Sequence, residues 1–260
     1  MAIRKLLLPV QSTATAEAAL ATALLIARLW HAHLSVLHVA ADRQRENAVR
    51  AVFERVMAAV DMSVADPAPG ADRATANFTA VVGREADSVA YQARLADLTV
   101  VPHPTSGEDV SSSDALHAVL FDSGQPVLIA PRAAPASIGT RICLGWNGSA
   151  ESASAVLAAI PWLRRADAVR ILWSEEYQRR GPLAAELGEY LAAHDVSADQ
   201  RMFGSINNVV GAGLLAAARD FDCDLLVMGA YSHSRLRQLI LGGVTRHVLE
   251  HAALPLMMHR

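Results

Sequence analysis

The chain has 260 residues, a formal net charge of -3 at neutral pH and 52% hydrophobic residues. That balance excludes a disordered chain and a basic nucleic-acid binder, and it leaves room for one large domain or two small ones. Two cysteines exclude a disulfide scaffold and point to a reducing compartment. Lys5 is the only lysine, so no Walker A phosphate loop is present.

Residues 4–10 read as a buried first strand. Arg4-Lys5 ahead of Leu6-Leu7-Leu8 imitates a leader, but the apolar run stops at Pro9, short of the ~7–15 residues of a signal core. Other apolar runs meet Arg28, Pro126 or Pro255 well before the ~20 residues of a membrane span. The expectation is a cytoplasmic protein with neither membrane nor nucleic acid as partner. Further strands read at 34–39, 78–82, 98–101 and 126–130, then at 141–146, 169–173, 198–203, 224–228 and 255–259. Helical patterns fill the gaps, at 150–163, 183–194, 209–221 and 244–251 in the second half. Ala155, Val156, Ala159, Ile160 and Leu163 recur at helical spacing.

The chain repeats itself. Leu6-Leu7-Leu8-Pro9-Val10-Gln11 corresponds to Ile142-Cys143-Leu144-Gly145-Trp146-Asn147, and Asp97-Leu98-Thr99-Val100-Val101 to Asp224-Leu225-Leu226-Val227-Met228. Pro126-Val127-Leu128-Ile129 corresponds to Pro255-Leu256-Met257-Met258. Matching order and nearly constant offset indicate a tandem duplication. The expected domains are 1–132 and 140–260, joined by a linker of small residues, Pro135 and Gly139. Apolar strands alternating with helices predict an α/β protein of two tandem, doubly wound, parallel five-stranded sheets.

Ligands of such folds bind at the carboxyl ends of the strands. There the second half carries Gly229-Ala230-Tyr231-Ser232-His233-Ser234-Arg235 and then Leu241-Gly242-Gly243-Val244-Thr245. Glycines admit close backbone approach, and a helix start offers unpaired N–H groups to an anion. Ser232, Ser234 and Thr245 add hydroxyls, and Arg235 or Arg237 adds charge. Trp146 and Tyr231 follow the first and fourth strands of this half and are placed to wall a base pocket, with ordinary packing as the alternative.

Gly229, two residues, Ser232, nine residues and Gly242-Gly243 resemble the nucleotide loop of universal stress proteins. In that family the run is glycine, two residues, glycine, nine residues, glycine, then serine or threonine. The flanking Met228–Arg237 run and the Pro255-Leu256-Met257-Met258 ending are also similar, and the outline covers both halves. The resemblance implies a Rossmann-like universal stress fold. It also implies a non-catalytic, stress-response role in which the second half binds ATP or a related adenine nucleotide, with or without Mg2+. No structural metal and no catalytic residue are expected. The implied binding set is Trp146, Asn147, Gly229, Tyr231, Ser232, His233, Ser234, Arg235, Gly242, Gly243, Val244 and Thr245. The last strand of each half implies an intramolecular pseudo-dimer and a homodimer.

Three positions depart from the family. Ser232 replaces the second glycine, Gly243 the hydroxyl residue, and Asn147 the aspartate that ends the first strand. Asparagine keeps an acceptor but loses the charge. The alternatives are therefore a nucleotide-free interaction module with a decayed site, or a slow ATPase. In the first half Gln11 takes the aspartate position. Pro102 and Pro104 lack N–H groups where a phosphate cradle needs them, and Asp114 would set a carboxylate at a helix start. No nucleotide is expected there.

Other motifs compete weakly. His247-Val248-Leu249-Glu250-His251 has the H-x-x-E-H spacing of inverted zinc proteases, but no acidic residue follows Glu250 to complete a ligand set. His31 and His33 read as a surface pair, with adventitious nickel or zinc binding as the alternative, and His38 as a hydrogen-bonded core histidine or one facing the strand-end cleft. Cys143 and Cys223, in or beside strands, read as small buried hydrophobes, and without close CxxC spacing no redox role is expected. Glu175-Glu176 reads as solvated loop charge. No G-x-S-x-G elbow is present.

Overall fold

The computed structural model describes residues 2–40, 42–68, 72–103, 113–231 and 243–260. The chain divides into two compact units, Met1–Ala136 and Ser137–Arg260.

Unit 1 runs β1 (Lys5–Pro9), α1 (Thr13–Trp30), β2 (His33–Ala40), α2 (Arg43–Ala59), β3 (Ser63–Val64), β4 (Thr75–Val82), α3 (Glu85–Ala93), β5 (Leu98–Val101), α4 (Asp114–Asp122) and β6 (Val127–Ile129). Its strands lie in the order β3-β4-β2-β1-β5-β6, all parallel. Two-residue β3 adds to the edge beyond the five expected strands. Helix starts are capped by side chains: Ser12 accepts from the Ala14 amide, Asp42 from Arg45 and Ser113 from Leu116.

Unit 2 runs β7 (Arg141–Gly145), α5 (Ala150–Leu163), β8 (Ala168–Trp173), α6 (Ala184–Ala192), β9 (Asp199–Met202), α7 (Val210–Arg219), β10 (Leu225–Gly229), α8 (Gly243–His251) and β11 (Leu256–His259). The parallel order is β11-β10-β7-β8-β9. Central β7 and β10 are almost wholly buried, as strands covered on both faces must be. Edge strand β9 is exposed throughout and carries Asp199 and Arg201, charges that discourage pairing with another chain.

The same carboxylate anchors both units. Asp97 Oδ2 accepts from the Arg4 and Lys5 amides at 2.8 and 2.9 Å. Asp224, its counterpart in the repeat, accepts from Gly139, Thr140 and Arg141 amides and from the Ser137 and Thr140 hydroxyls. Each ties down the chain as it enters the first strand of its unit.

Candidate functional site

Strand order reverses between β7 and β10, so the carboxyl ends of these two strands form the switch point where an α/β sheet opens a crevice. Met228 lies opposite Gly145 in their register. Past β7 the chain turns at Trp146-Asn147-Gly148-Ser149. The Asn147 side chain is buried, and its Oδ1 accepts from the Ser149 amide at 3.1 Å. Gly148 adopts φ +77. Ser149 caps α5, its Oγ accepting from the Ser152 amide at 3.1 Å. An Asn-Gly-Ser run thus converts strand to helix in one turn.

Gly229 ends β10 against that turn. A Cβ there would stand 2.5 Å from the Ser152 amide nitrogen and 2.6 Å from the Glu151 carbonyl carbon. Only glycine lets β10 pass so close to the first turn of α5. Tyr231 follows with φ +61. Helix α8 begins at Gly243, where an added Cβ meets nothing within 4 Å among the described residues, and Thr245 is buried in its first turn. Val244 is half-buried. Ser232, His233, Ser234, Arg235 and Gly242 lie outside the described residues.

The loop after β8 closes the other side and was not expected from the sequence. The Arg179 amide donates to the Asn147 carbonyl at 2.7 Å. A Cβ on Gly181 would lie 2.0 Å from the Gly148 oxygen, so the Gly148–Gly181 crossing tolerates no side chain. Two glycines far apart in sequence give no local pattern from which to foresee this contact. Burial pushes the Tyr177 phenol of this loop up to about 12, so it stays neutral. Trp146 is buried and its Nε1 donates to the Pro182 carbonyl at 3.0 Å. Its ring lines a cavity of about 300 Å³ between α5 and α6, together with Val156, Leu157, Pro182, Leu187 and Tyr190. Glu176, read as solvated charge, accepts from the Ser205 amide at 3.2 Å.

The arrangement offers helix starts and close backbone to an anion, and a turn amide nearby. Among the described residues no group of three or more His, Cys, Asp and Glu is placed to hold a metal ion. His247 and His251 stack at 4.1 Å on α8, with His251 Nδ1 at 2.9 Å from the His247 carbonyl. No described helix is long and apolar enough to cross a membrane.

The corresponding edge of unit 1 has opposite character. Asp114 opens α4, and Glu85 opens α3. Burial, and after it the Asp114 charge, push the Glu85 carboxyl above its usual range, while a hydrogen bond with Gln11 pulls it back in part. Gln11 Oε1 also accepts from the Val39 amide at 3.3 Å. Pro102 and buried His103 follow β5, and Pro104 lies outside the described residues. His38 is buried, with Nδ1 at 2.7 Å from the Val10 carbonyl. His33 is not a surface residue: it is buried and bonds Thr75 at 2.8 Å.

Comparison with known proteins places this geometry. Residues 140–260 match the universal stress protein family. A universal stress protein from Archaeoglobus fulgidus DSM 4304 superposes with a TM-score of 0.71 at 14% identity, covering 98% of this chain and 96% of that one. A functionally unknown protein from Pseudomonas aeruginosa PAO1 does so at 0.62 and 15% identity, covering 99% and 92%. A universal stress protein in complex with cAMP covers 51% of this chain and 100% of its own, with a TM-score of 0.38 and 22% identity. No curated protein matches the sequence.

Proposed function

Since the chain belongs to the universal stress protein family through residues 140–260, we propose that unit 2 binds one adenine nucleotide of the ATP class without turning it over. Its role is then that of a nucleotide-responsive regulator. The observation that carries this reading is Gly229, a strand end at the switch point packed on α5 with no room for a side chain. Phosphates are held by backbone N–H groups of the Gly229–Thr245 segment and by the α8 dipole. Ser232, His233, Ser234, Arg235 and Gly242 contribute as the loop motif implies. Asn147 takes the base or ribose side with a neutral amide.

Unit 1 keeps the scaffold and binds no nucleotide. Glu85 and Asp114 present carboxylates where phosphate charge would have to sit, and Pro102 has no N–H to donate.

The test is mass spectrometry of small molecules released from the purified chain, followed by calorimetry with ATP, ADP and AMP. The expected stoichiometry is one nucleotide per chain. In the Gly243→Asp variant a carboxylate at the first position of α8 favours the helix by about 0.3–1 kcal/mol but repels phosphate. The variant should remain folded and lose the ligand. Absence of both co-purified nucleotide and binding heat in the unmodified chain overturns the proposal, and two equivalent sites overturn the assignment to unit 2 alone.

A further inference from the structure

Helices α5 and α6 diverge. In unit 1 the corresponding α1 and α2 pack along each other. They are tied by the Glu17–Arg55 ion pair at 3.1 Å and by Arg28, which donates to the Val60 carbonyl. Helix α2 has 17 residues and buries Val49, Phe53 and Met57. Helix α6 has only 9 residues, and residues 174–183 before it are loop. Unit 2 keeps the tie at one end of the pair, where Arg164 Nε donates to the His194 carbonyl at 2.9 Å. Away from that end α5 and α6 do not pack along each other, and the cavity of about 300 Å³ lies between them.

The lining of this cleft is almost wholly apolar. Trp146, Val156 and Leu187 are buried in it. Leu157 and Tyr190 also line it, yet are 56% and 38% exposed. Large apolar side chains facing water favour any apolar body that covers them. Two aromatic rings are fixed in advance. The bond from Trp146 Nε1 to the Pro182 carbonyl holds one, and the Tyr190 ring lies against His194 with centroids 4.6 Å apart. Glu186 is the one charged residue of the lining among the described residues, and its Oε2 accepts from the Leu183 amide at 2.8 Å.

Size, polarity and charge narrow the occupant. A protein partner covers ~800 Å² in a stable complex, and the lining of the cleft exposes only a small fraction of that. Its volume lies at the lower end of small-molecule sites and is about twice that of a ~150 Å³ apolar cavity that takes up benzene. Two rings in the wall suit a flat aromatic guest, which they contact by edge or face. A guest rich in donors and acceptors would bury them unpaired, which weighs against a nucleotide. The Glu186 carboxylate repels an anion. We infer that the cleft between α5 and α6 is a binding site for a neutral aromatic molecule of two fused rings. Asn147, Gly229 and Thr245 are not part of its lining, so it is a second site and does not depend on nucleotide binding at the switch point.

The experiment is calorimetric titration of the full chain with indole and with indole-3-acetate, which share a two-ring body and differ by a carboxylate arm. Indole should bind once per chain, with or without ATP present, and indole-3-acetate about tenfold more weakly. Ala153→Phe puts a ring into the cleft from α5. It should weaken indole by about tenfold or more while the melting temperature holds or rises. Glu186→Gln keeps an oxygen for the Leu183 amide, so it should leave indole binding intact and narrow the gap between the two ligands. No binding heat from indole at millimolar concentration would overturn the proposal, and so would equal affinity for the two ligands. Indole binding that survives Ala153→Phe unchanged, or that ATP displaces, would place the ligand elsewhere and overturn it. A dimer of the chain that Leu157→Glu dissolves would assign the cleft to a second copy and overturn it as well.

Discussion

Replacing Gly229 by alanine adds one methyl group to the tightest strand–helix approach at the switch point. The new carbon would stand 2.5 Å from the Ser152 amide nitrogen, about 0.9 Å inside ordinary contact, and the atoms it meets are backbone rather than a yielding side chain. Relief requires α5 to move as a body or β10 to bend. Moving α5 disturbs the Ser149 cap, worth about 1 kcal/mol, on top of about 1–3 kcal/mol for overpacking. The expected loss is about 2–4 kcal/mol. At roughly 3–5 °C per kcal/mol for a unit of this size, unit 2 should melt about 6–20 °C lower. Differential scanning calorimetry of the full chain reads this directly, with Gly243→Ala as the control. There the methyl meets nothing within 4 Å among the described residues, at a helix start, so stability should hold or rise by up to about 1 kcal/mol. A Gly229→Ala transition within about 2 °C of the parent would refute the close-approach argument.

The two anchoring aspartates should differ in cost. Asp224→Asn loses one of two accepting oxygens, both in use, and should lower stability by about 2–3 kcal/mol. Asp97→Asn keeps the single oxygen that serves both amides and should cost less than about 1 kcal/mol. Equal shifts in urea midpoint would contradict the account. Gly139→Ala should destabilise unit 2 more than Gly124→Ala destabilises unit 1. Both glycines have positive φ, but only at Gly139 would a Cβ strike Trp162, at 2.6 Å, and chemical denaturation compares the two. His33 titrates below its ordinary value, chiefly because it is buried and secondarily because of Lys5, with Asn77 and Asp66 opposing. The unfolded chain therefore takes up the proton first, at about 6.5. The contribution of His33 to the stability of unit 1 is fully present above that pH and is lost as pH drops through the lower folded value. His33→Gln should flatten this dependence below about pH 6.5; an unchanged slope in urea titrations would exclude His33 as its source.

The strands and helices of unit 2 were legible because apolar runs and helical spacing leave strong local patterns, and the observed β7, α5, β8 and β10 follow them within a residue or two. Ser63-Val64 carries no such pattern, and it becomes a strand only because β4 offers an edge. Asp97 and Asp224 were visible as repeat markers, but their work as anchors depends on where the first strand begins, which no local motif states. At Asn147-Gly148-Ser149 the asparagine stands out in the sequence as the departure from the family's aspartate. The function of this run as a turn depends on Gly148, which lets Gly181 cross it.

The anchors and the site sit at opposite ends of the same strands. Asp224 precedes β10 and Gly229 closes it, five residues of strand, a separation of about 15 Å. Asp97 and Pro102 stand in the same relation across β5. A change at one end of a strand this stiff scarcely disturbs the other. A duplicated domain can therefore exchange its ligand-facing residues for acids and prolines while the tie that begins each sheet stays intact. The two units carry different residues at these strand ends, Pro102 in one and Gly229 in the other, behind the same tie.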